Sequence, residues 1–399
     1  MSQLAKEKLR VGVIGAGRWS TRAHLPGWTR SDLCDVVCLC DMDREMAEQK
    51  AKQFGIPEVE TDAYKLLQRG DIDVIDVCTR DEHGETHEPL TFAALNENKH
   101  VLVEKPVAQD FHRVLEAQKL AESKGLKTKV GLTFRYAPAV QYMFQLVREG
   151  FIGDPYVFNG FEQNCQWIDP YNPQDKRIHK VKPDGPLVGT DLSREGIEVG
   201  SLEGYGAPTI DIGLELVNSD VTQLCGIMAN MVKYRRRTNL DTQLERINCD
   251  DADMFIAECA NGALFSMQTS FVTVGNYPGI YANIYGSRGA LRATLATDPE
   301  THQMQKLEYA DGYADPNADA DAVKFRELPI PEKYWNPGHR ADDAWDTAFY
   351  GCLIQNFLEE IVSGGEKNEG NFAQSARVQE LINAAEASHR EEKWIHLPL

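Results

Sequence analysis

The sequence lacks the features that would assign it to a membrane or to nucleic acid. No apolar run approaches the roughly 20 residues that a membrane-spanning helix needs, and the first ten residues contain no apolar core of a signal peptide. Basic residues are outnumbered, since 42 lysines and arginines stand against 61 aspartates and glutamates. The net charge of −19 argues against a polyanionic partner. We therefore expect a cytoplasmic protein with neither a membrane nor a nucleic-acid partner.

Paired metal-binding motifs are also missing. Cys34, Cys38 and Cys40 lie close together, but no second Cys or His pair follows at zinc spacing, so we predict no metal site. Most of the nine cysteines lie inside apolar runs, which indicates reduced thiols in a protein core. The 399 residues are enough for two domains with sizeable cores.

The first motif present is a glycine turn after a buried strand. Leu9 to Ile14 reads as the strand, and Gly15-Ala16-Gly17-Arg18-Trp19-Ser20 follows it, with a helix predicted from Thr21 to about Arg30. Gly15 permits the tight turn and Gly17 lets the backbone approach a pyrophosphate at the start of the helix. A loop that binds no ligand is the alternative, because a lone glycine motif is weak support.

The context of this turn favours a nicotinamide dinucleotide. Asp41 ends the next predicted strand, where an acid should bind the adenosine ribose hydroxyls and repel a 2′-phosphate. We therefore predict NAD, a preference that nearby Arg44 softens. The alternative role for Asp41 is a favourable charge at the start of the helix from Arg44 to Phe54. Strands and helices keep alternating as far as Leu132, which predicts a doubly wound parallel sheet of the Rossmann type over residues 1–135.

A buried strand that ends in Glu104-Lys105-Pro106 supplies the main candidate for chemistry. Lysine is costly to place at the end of a core strand unless its charge is paired, and ligands collect at the carboxyl ends of parallel strands. Thr79 follows the preceding strand in the same way, so both side chains should face the cofactor crevice. The alternative is a structural Glu-Lys pair that closes the strand.

These residues together resemble the Gfo/Idh/MocA family of nicotinamide-dependent sugar oxidoreductases. The matching pieces are the glycine turn, Asp41, Thr79, the segment Lys99 to Pro106, the segment Phe134 to Pro138, and the C-terminal segments around Asn356 to Ile361 and Trp394 to Pro398. The resemblance implies that Lys105 lies between the nicotinamide and the substrate, with Glu104 holding it. It implies a cofactor set of Gly15, Ala16, Gly17, Arg18, Trp19, Asp41, Arg44, Thr79, His87, Glu104 and Lys105.

The second half of the chain changes in pattern. Pro155 to Phe161, Asp253 to Cys259, Ala263 to Thr273, Tyr281 to Gly286 and Ala290 to Leu295 read as strands. We predict an α+β domain over residues 136–399 with a large, open and mostly antiparallel sheet, and with C-terminal helices that return to the first domain. In the family this domain binds substrate, and its open sheet face implies a homodimer or homotetramer.

One segment departs from the family pattern. Relatives carry an Asp, a Gly and then a His on one turn of helix, and here Asp211 and Gly213 are followed by Glu215 in place of the histidine. Asp211 and Glu215 stand at i and i+4, so a helix places both carboxylates on one face. With Lys105 they could form an acid/base set, in which Glu215 acts as the base or orients the sugar. Two acids on a solvated helix face are the alternative.

Candidates for substrate contact are weaker. Arg135 and Tyr136 lie at the domain crossover, and His179 belongs to a basic cluster in a long polar segment between Cys165 and Pro208. That cluster indicates either a solvated surface or recognition of an anionic sugar. Trp335 could stack on a sugar ring, or it could be a buried anchor.

The leading interpretation is NAD-dependent oxidation or reduction of a secondary hydroxyl of a sugar, cyclitol or sugar derivative. The alternative, which the resemblance also implies, is a redox-neutral glycosidase that oxidises C3 transiently, eliminates the aglycone, adds water and reduces the ketone again. A third hypothesis is a non-catalytic NAD-binding protein, which the presence of both Lys105 and Asp211 disfavours.

Overall fold

The computed structural model describes residues 8–81, 86–173, 189–238, 240–275, 279–295, 297, 303–311, 323–365 and 368–399. Within it the chain divides into two compact units. The first comprises Met1–Ala137 and Trp335–Arg377, and the second comprises Pro138–Tyr334 and Val378–Leu399. In the described part of the chain, no helix combines the length and the apolar composition that crossing a membrane requires.

The first unit is built on a parallel sheet, as predicted. Among the described residues its six strands run in the order β3-β2-β1-β4-β5-β6, and every pair is parallel. The strands are β1 Leu9–Ile14, β2 Cys34–Cys40, β3 Glu58–Glu60, β4 Val74–Val77, β5 His100–Val103 and β6 Thr128–Val130. Near-continuous burial of β1, β2, β4 and β5 is what a sheet covered on both faces requires.

Six α-helices of the described chain belong wholly to this unit. They are α1 Leu25–Thr29, α2 Arg44–Phe54, α3 Ala63–Leu67, α4 His87–Asn96, α5 Phe111–Ser123 and α8 Trp345–Ser363. Local chemistry sets the ends of α2: the Asp43 carboxylate accepts the Met46 N–H at 3.2 Å, and Gly55 closes the helix at φ 70°. Helix α8 adds Tyr350, Ile354 and Phe357 to the core of the sheet, although it follows β6 by more than two hundred residues.

The second unit contains a large mixed sheet. Its nine described strands run in the order β16-β15-β14-β13-β7-β12-β11-β8-β17, and only the β12–β7 pair is parallel. The strands are β7 Pro155–Gln163, β8 Val221–Ala229, β11 Ala252–Cys259, β12 Leu264–Ser270, β13 Gly279–Gly286, β14 Gly289–Leu295, β15 Lys306–Asp311, β16 Arg326–Glu327 and β17 Ile395–His396. The predicted fold class, a Rossmann sheet followed by an α+β domain with a mostly antiparallel sheet, is confirmed.

Shorter elements complete the second unit. The strands β9 Tyr234–Arg235 and β10 Glu245–Arg246 pair as a separate ribbon. The helices are α6 Pro138–Arg148 and α7 Ala207–Val217, and the long α9 Phe372–Glu391 continues into it from the first unit. One face of α7 packs on β7 and β12, where Gly213 lies against the rings of Phe158 and Phe265.

One face of the large sheet leaves apolar side chains exposed. Along β11, buried residues alternate with exposed ones, as expected for a strand with one face toward a core. The exposed face carries Ile227, Met254, Ile256 and Leu264, and more than half of each side chain is accessible. In register, Met254 lies opposite Ile227, so these residues form one patch rather than isolated positions.

Candidate active site

The glycine turn after β1 has the geometry that a bound pyrophosphate needs. Gly15 adopts φ +114°, and a Cβ there would lie 2.6 Å from the carbonyl oxygen of Cys78, so only glycine is tolerated. At Gly17 a Cβ would meet no atom within 4 Å, so protein packing does not explain the missing side chain. Open space over this backbone is what a dinucleotide phosphate would occupy.

Asp41 connects the end of β2 to the glycine turn. Its Oδ2 accepts the N–H of Ala16 at 2.8 Å and its Oδ1 accepts the N–H of Asp43 at 2.9 Å. Carboxylate oxygens have further lone pairs, so these bonds leave capacity for ribose hydroxyls. Arg44, the cation nearby in sequence, is exposed and lies 3.5 Å from Glu48 on the same helix. The glycine turn and the Asp41 carboxylate bound to it therefore fit NAD.

Thr79 and His87 connect two strand ends of the sheet. His87 places Nε2 2.9 Å from the carbonyl oxygen of Thr79 and Nδ1 2.8 Å from that of Pro106. The Thr79 hydroxyl lies 2.9 Å from the Thr86 hydroxyl. Both nitrogens of the buried His87 ring are thus engaged with backbone, which indicates that it braces the segments after β4 and β5.

Lys105 lies two residues after the end of β5 and is partly buried, and its peptide bond with Pro106 is cis. Glu104 before it is buried, and its Oε1 accepts the indole N–H of Trp19 at 3.1 Å. Burial alone would raise the pKa of Glu104, but His24, Lys105 and Trp19 lower it below its usual range. Glu104 is therefore a carboxylate held from two sides, next to the candidate catalytic lysine. Arg18 is exposed.

Sequence reasoning missed three connected buried residues, of which one contacts Glu104. His24 places Nδ1 2.8 Å from Asp76 Oδ2 and Nε2 3.3 Å from Glu104 Oε1, and Trp28 Nε1 donates to Asp76 Oδ2 at 2.6 Å. A signal was present in the sequence, because Asp76 interrupts the apolar strand β4 and a buried carboxylate requires a partner.

The second unit holds the two predicted acids on α7. Asp211 is 2% exposed, so it does not lie on a solvated helix face. Glu215 is partly exposed, and its Oε1 accepts from Arg148 Nη2 at 3.0 Å. Of the two acids spaced i, i+4, Asp211 is therefore a buried carboxylate, and Glu215 pairs with a cation at the end of α6.

The weaker substrate candidates have partners within the first unit. Arg135 is buried, and the Tyr136 hydroxyl donates to the carbonyl oxygen of Glu369 at 3.1 Å. Trp335 stacks on His339, with ring centroids 4.4 Å apart. These contacts favour the anchor role for Tyr136 and Trp335. His179 lies outside the described residues.

Comparison with known proteins assigns both halves of the chain. The family model described as "Oxidoreductase family, NAD-binding Rossmann fold" matches residues 9–132, and "Oxidoreductase family, C-terminal alpha/beta domain" matches residues 220–397. The chain belongs to the Gfo/Idh/MocA family of oxidoreductases. The family resemblance of the sequence and the NAD-binding character of the first domain are thereby confirmed.

Relatives in this family carry the names of sugar and cyclitol dehydrogenases. Levoglucosan dehydrogenase of Pseudarthrobacter phenanthrenivorans is 22% identical over 98% of this chain and 99% of its own length. D-glucoside 3-dehydrogenase of Escherichia coli is 24% identical over 68% of this chain and 72% of its own. Inositol 2-dehydrogenase 4 of Saccharopolyspora erythraea is 29% identical, and the match spans 48% of this chain and 57% of that relative.

Solved structures of the family share the fold over its full length. An oxidoreductase domain protein from Kribbella flavida superposes with a TM-score of 0.81 at 26% identity, covering 99% of this chain and 100% of that one. The complex of levoglucosan dehydrogenase with NADH gives a TM-score of 0.79 at 21% identity, covering 98% and 100%. At that identity the likeness establishes the fold.

Proposed function

We propose that this NAD-dependent oxidoreductase acts on a secondary hydroxyl of a sugar, a cyclitol or a sugar derivative. The observation that carries the proposal is Lys105, which follows a buried strand and has the paired carboxylate of Glu104 directly before it. The names of the relatives support the substrate class, since they include glucoside, levoglucosan and inositol dehydrogenases.

The chemistry requires a base as well as a hydride acceptor. When an alcohol carbon gives up hydride, the hydroxyl proton must leave too, and a positioned amine can take it. NAD, when bound, accepts the hydride. Lys105 would receive the hydroxyl proton at Nζ, Glu104 would hold the lysine, Gly17 would admit the pyrophosphate, and Asp41 would bind the ribose.

The acids on α7 of the second unit are the further candidates that the family pattern supplies. Asp211 keeps the aspartate of the family pattern. Glu215 stands where that pattern has its histidine. Of the two roles that the sequence leaves open for Glu215, the contact with Arg148 supports orientation of the sugar, because the ion pair fixes the direction of the carboxylate.

The experiment is a turnover assay that follows NADH with NAD and a panel of levoglucosan, myo-inositol and methyl glucosides. Lys105→Ala should lower kcat by about 10²- to 10⁴-fold and leave NAD affinity nearly unchanged. Lys119→Ala is the matched control, because Lys119 is an exposed lysine on α5 of the same unit. A wild-type kcat in Lys105→Ala would remove the lysine from the mechanism.

A redox-neutral glycosidase is the second candidate. It is favoured by the relative named D-glucoside 3-dehydrogenase, because oxidation at C3 would be the first step of such a reaction. Aryl glycosides with trace NAD separate the two activities. Aglycone release far beyond the NAD present, without net NADH, identifies the glycosidase, and stoichiometric NADH without cleavage identifies the dehydrogenase.

We also propose that the enzyme is a cytoplasmic homodimer or homotetramer. All nine cysteines are thiols rather than halves of disulfides, which suits a reducing compartment. The exposed apolar patch on the large sheet supports self-association, because patches of this kind on soluble proteins commonly mark interfaces.

A further inference from the structure

A buried network of charges adjoins the candidate catalytic lysine. We name the His24 network by its three members: Asp76 on β4, His24 before α1, and Glu104 directly before Lys105. His24 and Asp76 are fully buried, and Glu104 is 8% exposed. None of the three was needed to explain the sheet, and ionised groups are not retained in a core without pairing.

The geometry favours a doubly protonated His24. Nδ1 faces the Asp76 carboxylate at 2.8 Å and Nε2 faces the Glu104 carboxylate at 3.3 Å. Carboxylates only accept, so both ring nitrogens must carry a proton for both contacts to be hydrogen bonds. Asp76 also accepts from Trp28 and Glu104 from Trp19, which confirms that both carboxyl groups serve as acceptors.

The surroundings of the ring favour the cation. Burial by itself opposes the charge, but Asp76 and Glu104 outweigh that cost and raise the pKa of His24 from 6.5 to about 9. From α8, the Tyr350 ring lies tilted against the imidazole, with centroids 4.1 Å apart and the ring planes at 33°. The Cys78 thiol beside Asp76 stays protonated, since burial raises its pKa well above 9.0.

Two members of the network, His24 and Asp76, are with Cys78 close enough to hold a metal ion, since the ligand atoms of these three residues lie within 4.8 Å of one another. A thiol that keeps its proton is a poor ligand, and the imidazole nitrogen facing Asp76 already shares a hydrogen bond. An internal ion pair therefore explains the cluster better than a metal centre does.

We propose that His24 is a positioning residue, a buried imidazolium that fixes the direction and offsets the charge of Glu104 and thereby sets the pH at which Lys105 releases its proton. The inference rests on the proposed function, in which Lys105 takes the hydroxyl proton. A neutral His24 would leave two buried carboxylates near the lysine, which would then hold its proton to higher pH.

The charge count gives a sharp expectation. With His24 protonated, Asp76, His24 and Glu104 sum to −1 next to Lys105. His24→Gln makes that sum −2, and the double variant His24→Gln/Asp76→Asn returns it to −1. One unit charge acting over roughly 10 Å at an effective dielectric constant near 20 moves a titration midpoint by about one pH unit.

The first test measures the protonation state of the His24 ring directly. Histidine labelled with ¹⁵N reports its protonation state by NMR, and the His24 signal is the one that His24→Gln removes. We expect an imidazolium at pH 7 that loses its proton near pH 9. A ring that is neutral at pH 7 would overturn the proposal, and this measurement needs neither substrate nor turnover.

The second test measures how the reactivity of the Lys105 amine depends on pH, again without substrate. The rate of Lys105 acetylation by dilute acetic anhydride is followed against pH by mass spectrometry, because only the free amine reacts. We expect the midpoint to rise by about one pH unit in His24→Gln and to return most of the way in the double variant. His100→Asn is the matched control, since His100 opens the strand that leads to Lys105 and contacts Lys127 instead.

The two tests separate this proposal from the proposed function. If His24 were neutral in the wild type, His24→Gln would leave the midpoint unchanged and the double variant would lower it, so that pattern overturns the proposal. If His24→Gln does not fold, the double variant decides, because an unchanged midpoint supports the imidazolium and a lowered one contradicts it. Failure of every sugar in the turnover assay would instead count against the function alone.

Discussion

The indole Nε1 of Trp19 donates a hydrogen bond to Oε1 of Glu104 at 3.1 Å. Trp19 belongs to the glycine turn and Glu104 precedes the candidate catalytic lysine, so the bond joins two motifs that stand 85 residues apart. A substitution that breaks this bond in one motif should therefore alter the side-chain position in the other. The glycine turn is thus connected to the residue before Lys105 by a specific hydrogen bond.

Trp19→Phe tests this connection. The substitution keeps an aromatic ring but removes the N–H, and a hydrogen bond to a charged group contributes about 1.5–3 kcal/mol. We expect a loss of that size in the free energy of unfolding from urea titration, with a lower kcat. Trp345→Phe is the control, since the Trp345 ring packs on Trp19 at 5.9 Å. Equal effects of the two changes would mean that ring packing alone matters.

Asp41→Asn tests the choice of cofactor. The amide oxygen can still accept the Ala16 N–H, so the glycine turn should persist while the negative charge and the acceptor for the Asp43 N–H are lost. We expect weaker NAD binding and a gain in NADP affinity, because repulsion of a 2′-phosphate disappears. Fluorescence titration with both dinucleotides measures the ratio. A ratio that stays at the wild-type value would show that the ribose binds elsewhere.

Local patterns were enough to predict the strands of the first sheet except β3, Glu58–Glu60, which was not predicted. The helix from Arg44 to Phe54 was predicted to the residue, because an acid N-cap and a C-terminal glycine mark its ends. Strand β8, Val221–Ala229, was not predicted, although it lies beside β11 in the large sheet. Its sequence mixes polar and apolar residues, and its place is fixed by pairing with distant strands, which no local pattern reveals.

The site shows the same division. Gly15, Asp41 and Lys105 could be found because each stands at a strand end, where position along the chain implies position in the crevice. His24 and Asp76 could not be paired from the sequence, since their contact depends on how a helix after β1 packs against β4. The Arg148 partner of Glu215 was missed for the same reason.

Two buried carboxyls in the second unit should make stability depend on pH. Burial raises the pKa of Asp250 to about 6, and burial together with the charge of Asp250 raises the pKa of Asp253 well above 3.8. The folded state then holds protons that the unfolded chain has lost, so the free energy of unfolding should fall as pH rises from about 4 through these values.

Asp253→Asn should flatten that dependence, because the amide stays neutral. Each titrating proton removed takes away a slope of about 1.4 kcal/mol per pH unit, so the variant should be more stable than wild type at pH 8. Thermal unfolding from pH 4 to pH 8 measures the effect. Asp251→Asn is the contrasting control, since Asp251 accepts from Met231 and Val232 and pairs with buried Arg235, and its loss should destabilise at every pH. A slope in Asp253→Asn as steep as wild type would place the pH dependence elsewhere.

Arg148→Met separates the two roles of Glu215. If Glu215 orients the sugar while held by Arg148, then Arg148→Met and Glu215→Gln should each raise KM by about tenfold with little change in kcat. Their effects should not add in the double variant, because both remove one contact. Asp211→Asn should instead lower kcat by about 10²- to 10⁴-fold. A kcat loss of that size in Glu215→Gln alone would make the carboxylate the base.

Ile256→Lys tests the exposed face of the large sheet. Ile256 is 56% exposed and lies on β11 beside Met254, so the substitution should not disturb the fold of the subunit. In a two-fold symmetric interface both subunits place the new lysine in the contact. Burying these unpaired charges opposes association strongly. Sedimentation velocity should therefore show a smaller species at concentrations where wild type is a dimer or tetramer. Val274→Lys is the control, since Val274 is 74% exposed but lies outside the strands of the sheet. Wild type that sediments as a monomer throughout the micromolar range would leave this face without a role in self-association, and equal dissociation by Val274→Lys would move the interface away from the sheet.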